Sequence, residues 1–199
     1  GAGGAGTMLF DDLRLTTVVP DTSLVQLARW PLNSSTTTSS AASDKVTAQP
    51  EAATSLYVIR DYGGIDGSQR VYGASGTLGN WPAETAANPD RYAQFAFTPN
   101  PGVSVKVTSI SLSVGNSGGS TDVKVSLHYS TDDFATSKVL EEAIALPSSA
   151  LLQKTYAPNV QVPNGKTFSL RAYPWLQGGR ASGKYFNIKD VLISGTTTP

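Results

Sequence analysis

Apolar residues recur at every second position through much of this chain, and turn-forming residues interrupt them at short intervals. Segments 56–62, 92–98, 103–114, 122–129, 167–173 and 185–193 each follow that two-residue period, the period of an extended strand with one covered face. Between them lie Pro99-Asn-Pro-Gly102, Asn116-Ser-Gly-Gly119, Pro163-Asn-Gly165 and Gly178-Gly179, all suited to tight or left-handed backbone. Alternation with such short connections predicts an all-β chain, two antiparallel sheets packed as a sandwich, rather than helices laid on a sheet. Only 137–146 has a helix-like composition, and no internal repeat of fixed period points to a solenoid or propeller.

The pattern also divides the chain. Residues 1–6 are all Gly or Ala and read as a flexible lead, followed by Leu9, Leu13 and Leu15, which could give one short strand. Residues 1–21 are therefore set apart as a lead and strand, either the end of a preceding module or an addition to this one. The sandwich itself is expected over 22–199. Within it, 33–43 is almost wholly Ser, Thr and Ala, too polar for a core, and reads as a surface loop.

Composition narrows the chemistry. Fifteen Lys and Arg balance fifteen Asp and Glu, and charged residues make up 15% of 199, so no strong field is available to gather nucleic acid or an anionic membrane. The chain has no Cys and one His, which removes disulfides, thiolate nucleophiles and multi-histidine metal sites. No apolar run approaches the roughly 20 residues that span a bilayer. Ser and Thr supply 44 residues, beside 19 Gly and 12 Pro, a balance that favours many short strands and suggests an extracellular domain.

Several constellations invite a catalytic reading and fail it. Gly115-Asn-Ser117-Gly-Gly119 matches the spacing of a hydrolase nucleophile elbow, but the residues after it alternate as a strand rather than a helix, so a hairpin turn is expected. The adjacent pairs Asp11-Asp12, Asp132-Asp133 and Glu141-Glu142 point to opposite faces of an extended chain, which disqualifies each as a glycosidase pair.

Binding residues are more legible. In 168–175, Phe168, Leu170, Ala172 and Pro174 fall on one face and Arg171, Tyr173 and Trp175 on the other. Aromatic platforms beside a guanidinium suit a sugar polymer, whose ring faces stack on indole or phenol while Arg forks onto hydroxyls or carboxylates. Two readings stay open for Trp175, a platform or an inter-sheet plug if Pro174 breaks the alternation. Trp81, in the polar stretch Gly79-Asn-Trp-Pro82, is expected on a loop and exposed; Trp30 is expected in the core. Lys124 and His128 alternate against Val123, Val125 and Leu127, so they are expected outward beside Arg171. Asp190 sits where the alternation slips by one residue, which predicts a bulge and makes it the candidate ligand for a structural Ca²⁺.

A family resemblance joins these residues. Phe95-x-Phe-Thr-Pro-x-Pro-Gly102, Ile110-Ser-x-Ser-Val-Gly115 with Gly118-Gly119, Leu127-His-Tyr-Ser-Thr-Asp132 with Phe134, Leu170-Arg-Ala-Tyr-Pro-Trp175, Gly183-Lys184 and Val191-Leu-Ile-Ser-Gly195 together resemble the β-sandwich modules appended to secreted bacterial pectate lyases and related polysaccharide-degrading enzymes. The resemblance covers about residues 24–195. It implies a jelly-roll fold, non-catalytic carbohydrate binding, extracellular or cell-surface placement, and a covalently linked catalytic domain; related modules often hold a structural Ca²⁺.

The expectation is thus a monomeric jelly-roll module that binds a cell-wall polysaccharide, pectic polymer before xylan, through Trp81, Lys124, His128, Arg171, Tyr173 and Trp175. It would keep a linked enzyme near its substrate without doing chemistry. Its rivals are a single-domain jelly-roll lyase using His128, Tyr173 and Arg171, and a structural or adhesive sandwich. The whole reading hangs on rings held open at the sheet surface or its rim: with Trp81, Tyr173 and Trp175 all sealed in the interior, glycan recognition as framed here collapses.

Overall fold

The computed structural model describes residues 24–33, 42–59, 64–119, 122–179 and 181–198. The described residues form the strands β1 (Val25–Trp30), β2 (Val46–Ala48), β3 (Ala52–Thr54), β4 (Tyr57–Val58), β5 (Gln69–Tyr72), β6 (Tyr92–Pro99), β7 (Ser104–Ser117), β8 (Val123–Ser130), β9 (Lys138–Ala145), β10 (Leu151–Tyr156), β11 (Val160–Val162), β12 (Phe168–Leu176) and β13 (Tyr185–Thr198). One sheet runs β10-β7-β13-β5-β4, with β1 also on β13 and β11 on β7; the other runs β2-β6-β12-β8-β9, with β3 also on β6. The named strands pair antiparallel throughout, and the two sheets pack face to face as a β-sandwich.

The alternation seen in the sequence sets the core. Val107, Ile110, Leu112, Phe186, Ile188 and Ile193 come from one sheet and meet Phe95, Phe97, Val125, Leu127, Phe168 and Leu170 from the other, all buried. Trp30 is buried as expected, edge-on to Phe95 at 5.5 Å between centroids, and its indole N–H donates to the Gln49 carbonyl at 2.8 Å. A polar handle satisfied by backbone is what lets an indole sit inside a core.

Segment 137–146, helix-like in composition, is the edge strand β9. Its Glu and Ala residues are good helix formers, but its ladder with β8 decides the conformation, and Ile144 supplies the one side chain it buries there. The strand read over 56–62 is β4, with two residues, and 60–63 lie outside the described residues. So do 9–15 and 22–23, and with them the lead strand and the expected module boundary. Among the described residues, no helix is long and apolar enough to cross a membrane.

Candidate functional site

Strand β12 carries the site on its outer face. Register with β8 sets Arg171 opposite His128, Tyr173 opposite Ser126 and Trp175 opposite Lys124; register with β6 sets Arg171 opposite Gln94. Residues opposite one another share a face, so Gln94, Arg171 and His128 form one row across three strands. Pro174 lies beyond Ala172, the last residue paired with β6, where β12 has a partner on one side only and a missing N–H is tolerated. The alternation therefore passes through the proline unbroken.

Arg171 is held on three sides. Its guanidinium carbon lies 3.8 Å from the centroid of Tyr92 and 3.7 Å from that of Phe134, and its Nε donates to Gln94 Oε1 at 2.7 Å. Both faces of the planar cation are covered by rings, which leaves the edge with the two Nη groups, where the Tyr173 phenol also hydrogen-bonds, to meet a ligand. Next to it, His128 Nε2 is 2.7 Å from Glu142 Oε1, and its ring stands edge-on to Tyr173 at 5.2 Å. Burial pushes the Tyr173 phenol above its ordinary range, while the Arg171 cation beside it pulls the other way.

His128, Arg171 and Tyr173 floor a cavity of about 500 Å³. Phe134, Ser137 and Glu142 wall it from the β8–β9 side, and Ala86, Ala87 and Pro89 from the segment before β6. That segment is tied down at several points. Glu84 exchanges backbone hydrogen bonds with Gly178 at 3.0 and 3.3 Å, and its carboxylate takes the Arg91 guanidinium at 2.7 Å, with both side chains largely buried. Trp81 anchors the near end, its N–H donating to the Lys184 carbonyl at 2.8 Å. A β-carbon at Gly73 would come within 2.4 Å of the Trp81 ring, so glycine there makes room for the indole.

The structure corrects the aromatic platform. Trp81 is loop-borne as expected but fully buried at 0% exposure, because segment 81–91 folds back on the sandwich rather than projecting from it. Trp175 points to the outer face, yet it is 5% exposed and stands apart from the inter-sheet core. It is neither the open platform nor the inter-sheet plug, but a covered residue on the outer side. Tyr173 is 7% exposed and shows the cavity little of its ring. None of these three rings gives a sugar an open face, so glycan recognition as the sequence framed it fails, and saccharide binding can rest only on other groups.

Among the remaining candidates, His128, Arg171 and Tyr173 come together, while Lys124 shares their face but does not line the cavity. The bulge at Asp190 forms as predicted: the β13–β7 register slips between Lys189 and Leu192, and Asp190 has φ 50°. Its carboxylate is taken by Arg29 at 2.5 Å. Among the described residues, no group of three or more His, Asp or Glu residues gathers as a metal cluster, and Asp190 has Arg29 as its ion-pair partner. Ser117 of the elbow-like motif ends β7 and accepts a hydrogen bond from Asn187, with no helix behind it.

Sequence reasoning missed Tyr92, Gln94, Phe134 and Glu142. Phe134 left a trace, a large aromatic in the otherwise polar run Ser130-Thr-Asp-Asp-Phe134. Tyr92 and Gln94 could be placed outward by alternation, but only the register shows that they meet Arg171.

No family model matches the chain, and no curated protein matches it in sequence. Among solved structures, one titled as the structure of infectious bursal disease virus Gt strain aligns over 80% of this chain and 35% of that one, at 10% identity and a TM-score of 0.40.

Proposed function

We propose that the chain is a non-catalytic module that binds an acidic cell-wall polysaccharide in the Arg171 cavity and keeps a covalently linked degradative enzyme at its substrate outside the cell. One observation carries the reading. A guanidinium stacked between Tyr92 and Phe134, with Nε engaged by Gln94 and the Tyr173 phenol beside it, lines a cavity sized for small saccharide units with its remaining Nη donors. Edge-on, paired N–H donors match a carboxylate, so a pectic polymer rich in uronate comes first and a mostly neutral xylan second. Rigid polar recognition takes the place of the stacking that the buried tryptophans rule out.

A second reading has one observation in its favour: His128 and Tyr173 share the cavity with Arg171. In a polysaccharide lyase, Arg171 would neutralise the uronate carboxylate, His128 would take the C5 proton, and the Tyr173 phenol, kept protonated by burial, would hand a proton to the leaving O4. Affinity electrophoresis in pectate, xylan and alginate gels, followed by absorbance in the unsaturated-uronide band, separates the readings. The module predicts retardation strongest in pectate, no new absorbance, and loss of retardation in Arg171→Gln. New absorbance would replace the module with the lyase, and no retardation in any gel would leave a structural or adhesive sandwich.

A further inference from the structure

The turn from β8 to β9 holds two consecutive non-glycine residues in left-handed conformation, Asp133 at φ 56° and Phe134 at φ 62°. A β-carbon disfavours that region, and it persists where surrounding bonds over-determine it. Here they do. Ser130 Oγ donates to Asp132 Oδ1 at 2.6 Å and accepts the backbone N–H groups of Asp132 and Phe134 at 3.1 and 3.0 Å. The Asp132 carboxylate also accepts the Thr136 backbone N–H at 3.0 Å and the Thr136 hydroxyl at 2.7 Å. These bonds, the Ser130 hydroxyl first, hold its pKa down at about 2, so it remains a charged acceptor through mildly acidic conditions.

The turn places the Phe134 ring 3.7 Å from the Arg171 guanidinium carbon, opposite Tyr92. We propose that Asp132 is a positioning residue: by locking the Ser130–Thr136 turn it clamps Phe134 onto Arg171, so that the cation presents its edge and selects saccharide carboxylates over neutral hydroxyls. The ligand half of this proposal rests on the site described above. The clamp itself does not. Without Phe134 one face of the guanidinium opens to water, the side chain regains rotamer freedom, and the Nη pair loses its fixed direction.

The Nε–H resonance of Arg171 in the full ¹⁵N-labelled chain reads the clamp directly. Lying between two rings and bonded to Gln94, it is expected upfield of ordinary arginines and slow to exchange with water. Asp132→Ala and Phe134→Leu should return it toward the ordinary position, with amide dispersion elsewhere kept. Phe134→Tyr, which restores a ring, should leave it in place. Calorimetry with trigalacturonate should show an affinity loss of about tenfold in the first two variants and none in the third, with the neutral trisaccharide xylotriose binding poorly to all. If Asp132→Ala fails to fold, Thr136→Val, which removes one of the bonds to Asp132, should shift the resonance less but in the same direction. An Arg171 resonance unmoved in the variants that fold overturns the clamp, whatever the ligand does. A resonance that moves as expected in a chain that binds no trigalacturonate overturns the carboxylate selectivity and the proposed function, and leaves the clamp standing.

Discussion

The two faces of β12 obey the same alternation and end in different surroundings. Inward, Phe168, Leu170 and Ala172 meet the opposite sheet and are fully buried, as their apolar character requires. Outward, Arg171, Tyr173 and Trp175 should meet water, but Ala86, Ala87 and Pro89 on one side and Phe134 on the other wall in Arg171 and Tyr173, with the cavity as the opening between, and Trp175 is covered as well. A two-residue period shows which face of its own sheet a side chain takes. It is silent on what another part of the chain lays across that face.

The largest expected contrast sets the two faces against each other. Leu170→Ala removes apolar bulk from the inter-sheet core and should cost about 4 kcal/mol in denaturant unfolding. Arg171→Leu, one residue on, should cost less than about 1 kcal/mol, because a partly exposed cation on the outer face leaves no cavity in the core. Equal losses at the two positions would mean that the outer layer is as integral to folding as the core.

Next comes the cover itself. Arg91→Ala strands the Glu84 carboxylate in a largely buried place and should cost about 3 kcal/mol. It should also loosen segment 81–91, making tryptophan fluorescence more open to acrylamide quenching. Unchanged quenching in a destabilised variant would show that Trp175 is covered by something other than this segment.

Two carboxyls sharpen the difference between enclosed and open ground. Glu51 is 6% exposed, and burial raises its pKa from 4.5 to about 7 despite a hydrogen bond from Gln69. The folded chain therefore holds this proton more tightly than the unfolded chain. Stability from this group is full below pH 4.5, falls as pH rises from 4.5 to about 7 and is level above, a total of about 3 kcal/mol. Glu51→Gln should remove that slope and leave a more stable protein at pH 8. Asp132, whose pKa is lowered, runs the other way: its share is present above its unfolded value of 3.8 and is lost as pH falls toward about 2.

Much of this was legible beforehand. The strands β6, β7, β8, β12 and β13 were visible because each carries a long alternating run, and the bulge at Asp190 was visible as a slip in one. The strands β2, β3, β5, β10 and β11 were not, being short or carrying Gln, Arg and Lys at positions that pairing, not polarity, makes extended. Half of the site was legible for the same reason. His128 and Arg171 were placed outward by local pattern, whereas Phe134, Tyr92 and the wall at Ala86, Ala87 and Pro89 arrive through pairings and loop paths that local pattern does not encode. Trp81 shows the limit most clearly: its polar, glycine-rich neighbours suggested exposure, but Gly73 and the Lys184 carbonyl, remote in sequence, make its pocket.

The smallest expected effect separates two buried indoles. Trp30→Phe loses the bond to the Gln49 carbonyl along with ring area and should cost about 2 kcal/mol. The Trp175 N–H is buried with no hydrogen-bond partner among the described residues, so Trp175→Phe gives up area but relieves that polar group and should stay within about 1 kcal/mol of the parent. A larger loss at 175 than at 30, measured by urea unfolding, would reverse the assignment of core and cover.

Isothermal titration of trigalacturonate into the parent chain and into Arg171→Leu tests the central claim most directly, since it asks whether the enclosed cation is what the cavity uses to hold a ligand. Saturable binding by the parent and none by the variant, with both folded, is the predicted result. Equal binding by the two chains, or none by the parent, would contradict it.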